Sequence, residues 1–323
     1  MMVVTNHFWG SVFGGIFKFN GGFGVDIFFV LSGFLMVYTQ TEKRGPVTFF
    51  IGRVKRIIPL YFIISLPLIL MYVNLKDIYP LLSNILLLPS FGKSHHELAN
   101  GPAWTLVYEM IFYVFFAISL LISKNNVKAC LITVSMIAAA LYITIYQIGV
   151  SPRYGWIHLG YILGDTLMID FAAGCIIAVV YQKVNVKAFI DFRLLVLIAI
   201  AITYVALNIM DDARIYRFGI PAMILITFAI YTKEGSGYLY KALHTVGDAS
   251  FSIYLSHIYF SYAIKATRTA NQVSIENTEI SVILITLICV FVGIFINRTV
   301  EKPLMDFLSN KKNQPNGQTI SCS

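Results

Sequence analysis

Ten stretches of this chain stay apolar for close to the twenty residues a helix needs to cross roughly 30 Å of hydrocarbon. They cover residues 1–17, 24–40, 56–73, 104–122, 127–147, 166–182, 194–210, 215–232, 245–264 and 280–298. A backbone in lipid must satisfy its own hydrogen bonds, so such a succession can fold only as packed helices or a closed barrel, and runs this long are helical. The expected class is all-α: a polytopic transmembrane helical bundle of about ten helices. Composition agrees, with 58% hydrophobic and only 12% charged residues and a mean hydropathy of +0.75, against about 25% charged in a soluble domain. A further run, 78–91, is too short to span and is broken by Pro80 and Pro89; it reads as re-entrant or interfacial.

The net charge of +8 does not point to nucleic acid, because the basic residues are scattered between apolar runs and form no stripe or tail. An excess of Lys and Arg in cytoplasmic loops accounts for it. Lys43, Arg44, Arg53, Lys55 and Arg56 follow the second run, and Lys124 with Lys128, Lys183 with Lys187 and Arg193, and Lys233 with Lys241 follow the fourth, sixth and eighth. The alternate loops are poorer in basic residues or balanced by acids, as with Asp211 and Asp212 beside Arg214 and Arg217. This alternation places both termini in the cytoplasm, in a plasma (inner) membrane protein in contact with membrane lipids. Cys130, Cys175 and Cys289 lie inside apolar runs, where a thiol behaves as a small hydrophobe, and no cysteine spacing suggests a metal.

The first run carries no basic residue ahead of it and no clear cleavage site, so the N-terminus is read as cut short within its first helix. Residues 1–308 are expected to form one transmembrane domain, and 309–323, which are polar, a disordered cytoplasmic tail.

Polar residues inside apolar runs are functional candidates by default in a membrane. Residues 21–61 place Asp26 and Ser32 in one apolar run, which breaks into a basic turn holding Arg53, Lys55 and Arg56 before the next. Arg53 and Arg56 are three apart and share a face if a helix starts there, with Pro59 in its first turn. Paired guanidiniums can grip phosphate; each alone can equally be a positive-inside anchor. His7, in the first run, can act as a general base or simply hydrogen-bond a neighbour. Glu109 lies in the fourth run, with Trp104 and Tyr108 before it and Tyr113 one turn after. A carboxylate there must be paired, protonated or in a wet cavity, whether it meets a cation, orients an imidazole or relays a proton. His257 sits in the ninth run as a core hydrogen-bonder or a ligand. Arg298 and Glu301 read as a helix-end ion pair with Pro303 closing the helix, and His95 with His96 are too local to argue for zinc.

In order, the segments GVDIFFVLSGF, RVKRIIPLYF, PAWTLVYEMIFY, GDASFSIYLSHI and VEKPL resemble the membrane-bound acyltransferase-3 family, whose bacterial members O-acylate surface polysaccharides and related glycans. The resemblance covers nearly the whole chain. It implies ten transmembrane helices, a cytoplasmic acyl-CoA donor, acetyl-CoA above all, and a glycan or lipid-linked sugar acceptor reached from the opposite face, with no bound cofactor or metal. His7 matches the family's first-helix histidine, thought to be catalytic; Arg53 and Arg56 match its donor-handling arginine pair, and Glu109 the acid of its fourth helix. Asp26 and Ser32 match its second-helix motif, with Trp104, Tyr113 and His257 as supporting residues. The family's arginine ahead of the first-helix histidine has no counterpart, and Thr105 replaces a serine while keeping the hydroxyl. The rival reading is a transporter or flippase for a glycan or lipid-linked intermediate, in which His7, Asp26 and Glu109 line a path.

Overall fold

In a computed structural model, residues 21–41, 44–92, 96–151, 156–184, 186–209, 213–271 and 279–309 are described. They form twelve α-helices: α1 (Gly22–Tyr38), α2 (Pro46–Tyr72), α3 (Ile78–Leu86), α4 (Trp104–Ile122), α5 (Asn126–Tyr142), α6 (Leu167–Val184), α7 (Phe192–Asn208), α8 (Ile220–Ile230), α9 (Tyr238–Asp248), α10 (Ser250–Asn271), α11 (Glu279–Ile296) and α12 (Lys302–Leu308). A single helical turn, Leu159–Ile162, precedes α6. The first expected span, residues 1–17, and all but Ser309 of the expected tail lie outside the described residues.

The helical class holds, but the expected count of about ten spans does not. Among the described residues, five helical stretches are long and apolar enough to cross a membrane: Pro46–Tyr72, Gly101–Ile122, Asn126–Ile148, Leu167–Val184 and Ile283–Leu308. Helices α1 and α7 have 17 residues each, about 25 Å at 1.5 Å per residue, which falls short of a 30 Å core. The run expected at 245–264 is divided near Ala249 between α9 and α10, and α10 carries Lys265 and Arg268.

Helices α1 and α6 make the closest crossing. A Cβ added to Gly33 of α1 would lie 2.1 Å from the Phe171 carbonyl oxygen, and one on Gly174 of α6 would lie 2.0 Å from that of Val30. Only hydrogen fits at either position, so backbone meets backbone, as small residues permit between apolar helices. Against this crossing α4 packs an aromatic layer, Phe112 stacking on Phe171 at 3.8 Å between centroids and Phe29 edge-on to Phe112 at 5.6 Å. The edge-on Phe29–Phe112 pair has the geometry aromatic rings favour.

Two local readings of the sequence are corrected. Helix α2 begins at Pro46, where the missing N–H costs nothing, so Arg53 and Arg56 lie on the helix and not in a turn before it, and Pro59 is interior. Glu301 accepts hydrogen bonds from Ser252 Oγ (2.5 Å) and Asn297 Nδ2 (2.9 Å). The ion pairs of the described residues are Arg214–Asp26, His244–Asp248 and Lys302–Asp248, so the expected Arg298–Glu301 pair does not form. Pro303 is the second residue of α12, directly after a π-helical turn at Asn297–Glu301, and does not end the helix. Run 78–91 is the nine-residue α3 followed by a loop, too short to cross.

Candidate functional site

A cavity of about 400 Å³ opens between α1, α2, α4 and the α9–α10 corner. Its polar lining comes from Ser32 of α1, Arg53 and Arg56 of α2, Thr105, Glu109 and Tyr113 of α4, and Tyr254 of α10. Four helices thus bring one acid, two guanidiniums and several hydroxyls to one apolar-walled space.

Glu109 is buried and accepts hydrogen bonds from Ser32 Oγ at 2.8 Å and from the Tyr113 hydroxyl. Tyr113 is one helical turn along α4, the spacing that sets i and i+4 side chains on one face; Ser32 comes from across the α1–α4 contact. With two hydroxyls donating to it and both arginines within electrostatic reach, the carboxyl is held in place as an acceptor. Arg53 donates from Nη2 to Thr39 Oγ1 at 2.8 Å and lies over the rings of Phe49 and Tyr113, at 5.4 and 5.5 Å from their centroids. A guanidinium stacked in this way is oriented before any ligand arrives. Arg56, one turn on, is exposed along the same face. The spacing of three, read in the sequence as a shared face, is realised.

Tyr254 went unread in the sequence. Its hydroxyl donates to the Pro102 carbonyl, and because a phenol has one hydrogen, the 2.7 Å contact with Thr105 Oγ1 has the threonine donating. The exchange of serine for threonine therefore keeps a working hydroxyl. A signal was present: Tyr254 is three residues before His257, on the same face of an apolar run.

Other predicted residues stand apart from the cavity. Asp26 lies six residues from Ser32, which puts it on another face of α1. It is fully buried and ion-paired to Arg214, Nη2 to Oδ2 at 2.5 Å and Nε to Oδ1 at 3.2 Å, while Arg214 Nη2 also donates to the Gly22 carbonyl at 3.2 Å. Asp170, equally buried, lies within electrostatic reach of both, and its Oδ1 has no hydrogen-bond partner among the described residues. In the sequence Arg214 is balanced by its neighbours Asp211 and Asp212; an acid inside an apolar run, Asp26, is the signal that a distant cation is needed. Trp104 packs against Tyr108 and Trp156, with ring centroids at 5.3 and 4.8 Å. His257 is fully buried, and its Nδ1 donates to the Tyr254 carbonyl at 2.5 Å, so it braces the segment that carries Tyr254. His7 lies outside the described residues. Among those described, no group of three or more His, Cys, Asp or Glu side chains is placed to hold a metal ion.

Apolar helices of membrane-crossing length around a cavity with an acid and paired guanidiniums define a helical membrane protein with a polar site inside its bundle. The acyltransferase domain family matches residues 1–297, and the chain belongs to that family, the acyltransferase-3 enzymes. It is similar to the exopolysaccharide production protein ExoZ of Rhizobium meliloti, 27% identical in an alignment 309 positions long that covers 88% of this chain and 90% of that protein. It is also similar to the O-acetyltransferase OatA of Staphylococcus aureus, 25% identical over 91% of this chain and 56% of OatA. The peptidoglycan O-acetyltransferase OatA of Listeria monocytogenes is 26% identical over 74% of this chain and 44% of its own length. The chain thus spans most of ExoZ but about half of the OatA proteins. No solved structure matches it.

Proposed function

We propose that this acyltransferase moves an acetyl group from acetyl-CoA, reached from the cytoplasm, to a hydroxyl of a cell-surface glycan or lipid-linked sugar. The observation that carries this reading is the cavity in which Glu109 faces Arg53 and Arg56, in a chain of the acyltransferase-3 family. The names of its relatives support the acceptor class: an exopolysaccharide production protein and O-acetyltransferases, one of them of peptidoglycan. In this reading the protein sits in the inner (plasma) membrane, residues 1–308 form the catalytic domain, and both termini face the cytoplasm.

The roles follow from charge and geometry. Arg53, held by Thr39 and two rings, and Arg56 beside it on one face of α2 receive the phosphates of the donor as charge-assisted hydrogen bonds. The apolar walls accept the acyl chain and exclude water. His7 takes the proton from the acceptor hydroxyl as its oxygen attacks the thioester carbonyl carbon; the C–S bond breaks and the CoA sulfur leaves as a thiolate that recovers the proton. Glu109, fixed by Ser32 and Tyr113, orients and stabilises the imidazolium that forms.

Acetyl-CoA turnover by the full chain in nanodiscs tests this. Arg53→Ala and Arg56→Ala should raise the acetyl-CoA KM, while His7→Ala should bind the donor and transfer nothing. A chain that neither binds nor consumes acetyl-CoA would remove the acyltransferase reading of the cavity and favour a glycan carrier.

A further inference from the structure

At the C-terminal end of α2, sixteen residues beyond Arg56 and so about 24 Å along the helix, lies a second and larger cavity of about 810 Å³. It is walled by α2, α3, the loop before α4 and α10, and its volume is within the roughly 300–1,000 Å³ of small-molecule sites. Its polar and aromatic lining is Tyr72, Asn74, Asp77, His96, Glu97 and Tyr262. The described lining holds two acids and no lysine or arginine. A polyanion such as coenzyme A is therefore repelled here, whereas Arg53 and Arg56 attract it at the other end of the helix.

The chemistry is that of a polyhydroxylated neutral ligand. Tyr72 and Tyr262 stack with centroids 5.5 Å apart and planes at 26°, forming a two-ring platform from separate helices. Around it stand planar polar groups, which accept or donate in pairs and so match vicinal hydroxyls. Asp77 is oriented by Asn74, whose Nδ2 donates to Asp77 Oδ2 at 3.1 Å. Neither ring nitrogen of His96 has a hydrogen-bond partner among the described residues, although the ring is fixed edge-on to Tyr79 at 5.5 Å. Burial pushes the His96 imidazole below its usual value, so near neutral pH it offers one donor and one acceptor.

The wall is held in shape before a ligand arrives. Asn84, buried on α3, accepts from Ala99 N–H at 2.7 Å and donates to the Pro80 and Glu97 carbonyls. Asn100 Nδ2 then ties the loop to Ser65 Oγ at 3.0 Å and to the Leu255 carbonyl at 3.2 Å. The loop runs from Ala99, in this wall, to Thr105, in the wall of the Glu109 cavity. Six residues span at most about 22 Å, so the two cavities are neighbours.

We propose that this cavity holds a pyranose ring of the acceptor glycan, its apolar face against the Tyr72–Tyr262 stack and its hydroxyls on Asp77, Glu97 and His96. The assignment rests on the glycan O-acetyltransferase reading above. It gives the enzyme separate sites for an anionic donor, in the Glu109 cavity with Arg53 and Arg56, and for a hydroxylated acceptor beside it.

Saturation-transfer NMR on the full chain in nanodiscs, with triacetylchitotriose and cellotriose as probes, tests the assignment. Saturation should reach the ring C–H protons of at least one trisaccharide and survive excess coenzyme A. Asp77→Asn and Tyr262→Ala should each weaken binding about tenfold, the loss of one charge-assisted hydrogen bond or one ring face, while Tyr262→Phe, which keeps the ring, retains it. Absence of saturation for both probes, or binding indifferent to Asp77→Asn and Tyr262→Ala, overturns the assignment. Acetyl-CoA consumption separates it from the reading beneath it. Sugar binding that follows these variants in a chain that consumes no acetyl-CoA refutes the acyltransferase reading and leaves the sugar cavity standing. Transfer to a trisaccharide whose KM is unmoved in both variants refutes the sugar cavity and leaves the acyltransferase.

Discussion

Replacing Arg214 by methionine should expose how much of the bundle's stability hangs on one ion pair. Asp26 is fully buried on α1, and Arg214 meets both of its oxygens while also donating to the Gly22 carbonyl. Breaking a buried pair from one side costs about 3–5 kcal/mol, mostly because the surviving charge stays desolvated. The Arg214 side chain keeps 28% of its surface exposed, which argues for the low end, about 3 kcal/mol or roughly a hundredfold in the folded-to-unfolded ratio. The reverse variant, Asp26→Leu, should cost less, since the guanidinium is partly solvated and has Asp170 and Asp165 within electrostatic reach. The double variant, Asp26→Leu with Arg214→Met, should recover to within about 1 kcal/mol of the parent, as apolar replacements of buried pairs commonly do. Reversible unfolding of the four proteins in mixed micelles titrated with sodium dodecyl sulfate gives the cycle. Equal losses in the two single variants, or a double variant that simply adds them, would refute the pairing argument.

Gly174→Ala should leave little folded protein by size-exclusion chromatography, because its methyl would sit 2.0 Å from a backbone oxygen that cannot turn aside; overpacking of this kind costs about 1–3 kcal/mol or more. Ser32→Ala and Tyr113→Phe each remove one hydrogen bond to Glu109. Each should lower the acetyl-transfer kcat by about tenfold or more, the worth of a hydrogen bond to a charged group, and the acetyl-CoA KM should move far less than in the arginine variants. Because the folded pKa of His96 lies below its usual 6.5, the unfolded chain binds more protons as pH falls through that value. The stability from its neutral form is therefore complete above 6.5 and drains away below it, and His96→Gln should flatten the stability-versus-pH profile there.

The sequence by itself determined the class. Apolar runs of nearly bilayer length, set apart by charged loops, leave the backbone no alternative to helix, and most of the helices from Gly22–Tyr38 to Glu279–Ile296 overlap those runs. It also singled out Ser32 and Glu109, because a polar group inside an apolar run is costly enough to stand out without any coordinates, Tyr113 by its place one turn from Glu109, and Arg53 with Arg56 by their spacing of three. Helix boundaries were less legible: α2 begins ten residues before the apolar run it carries, since a helix does not stop where hydropathy does. What only the tertiary structure decided is partnership. Ser32 and Glu109 are 77 residues apart and Asp26 and Arg214 are 188 apart, and no local pattern says which distant side chain will answer a buried charge. The two glycines of the α1–α6 crossing set how closely those helices approach. The fold likewise separated Asp26, with its cation, from the cavity its neighbour Ser32 lines, and it carried Tyr262 to Tyr72 to make a ring platform. Such pairings follow from burial and packing between elements, whose energies depend on geometry that periodicity along the chain does not contain.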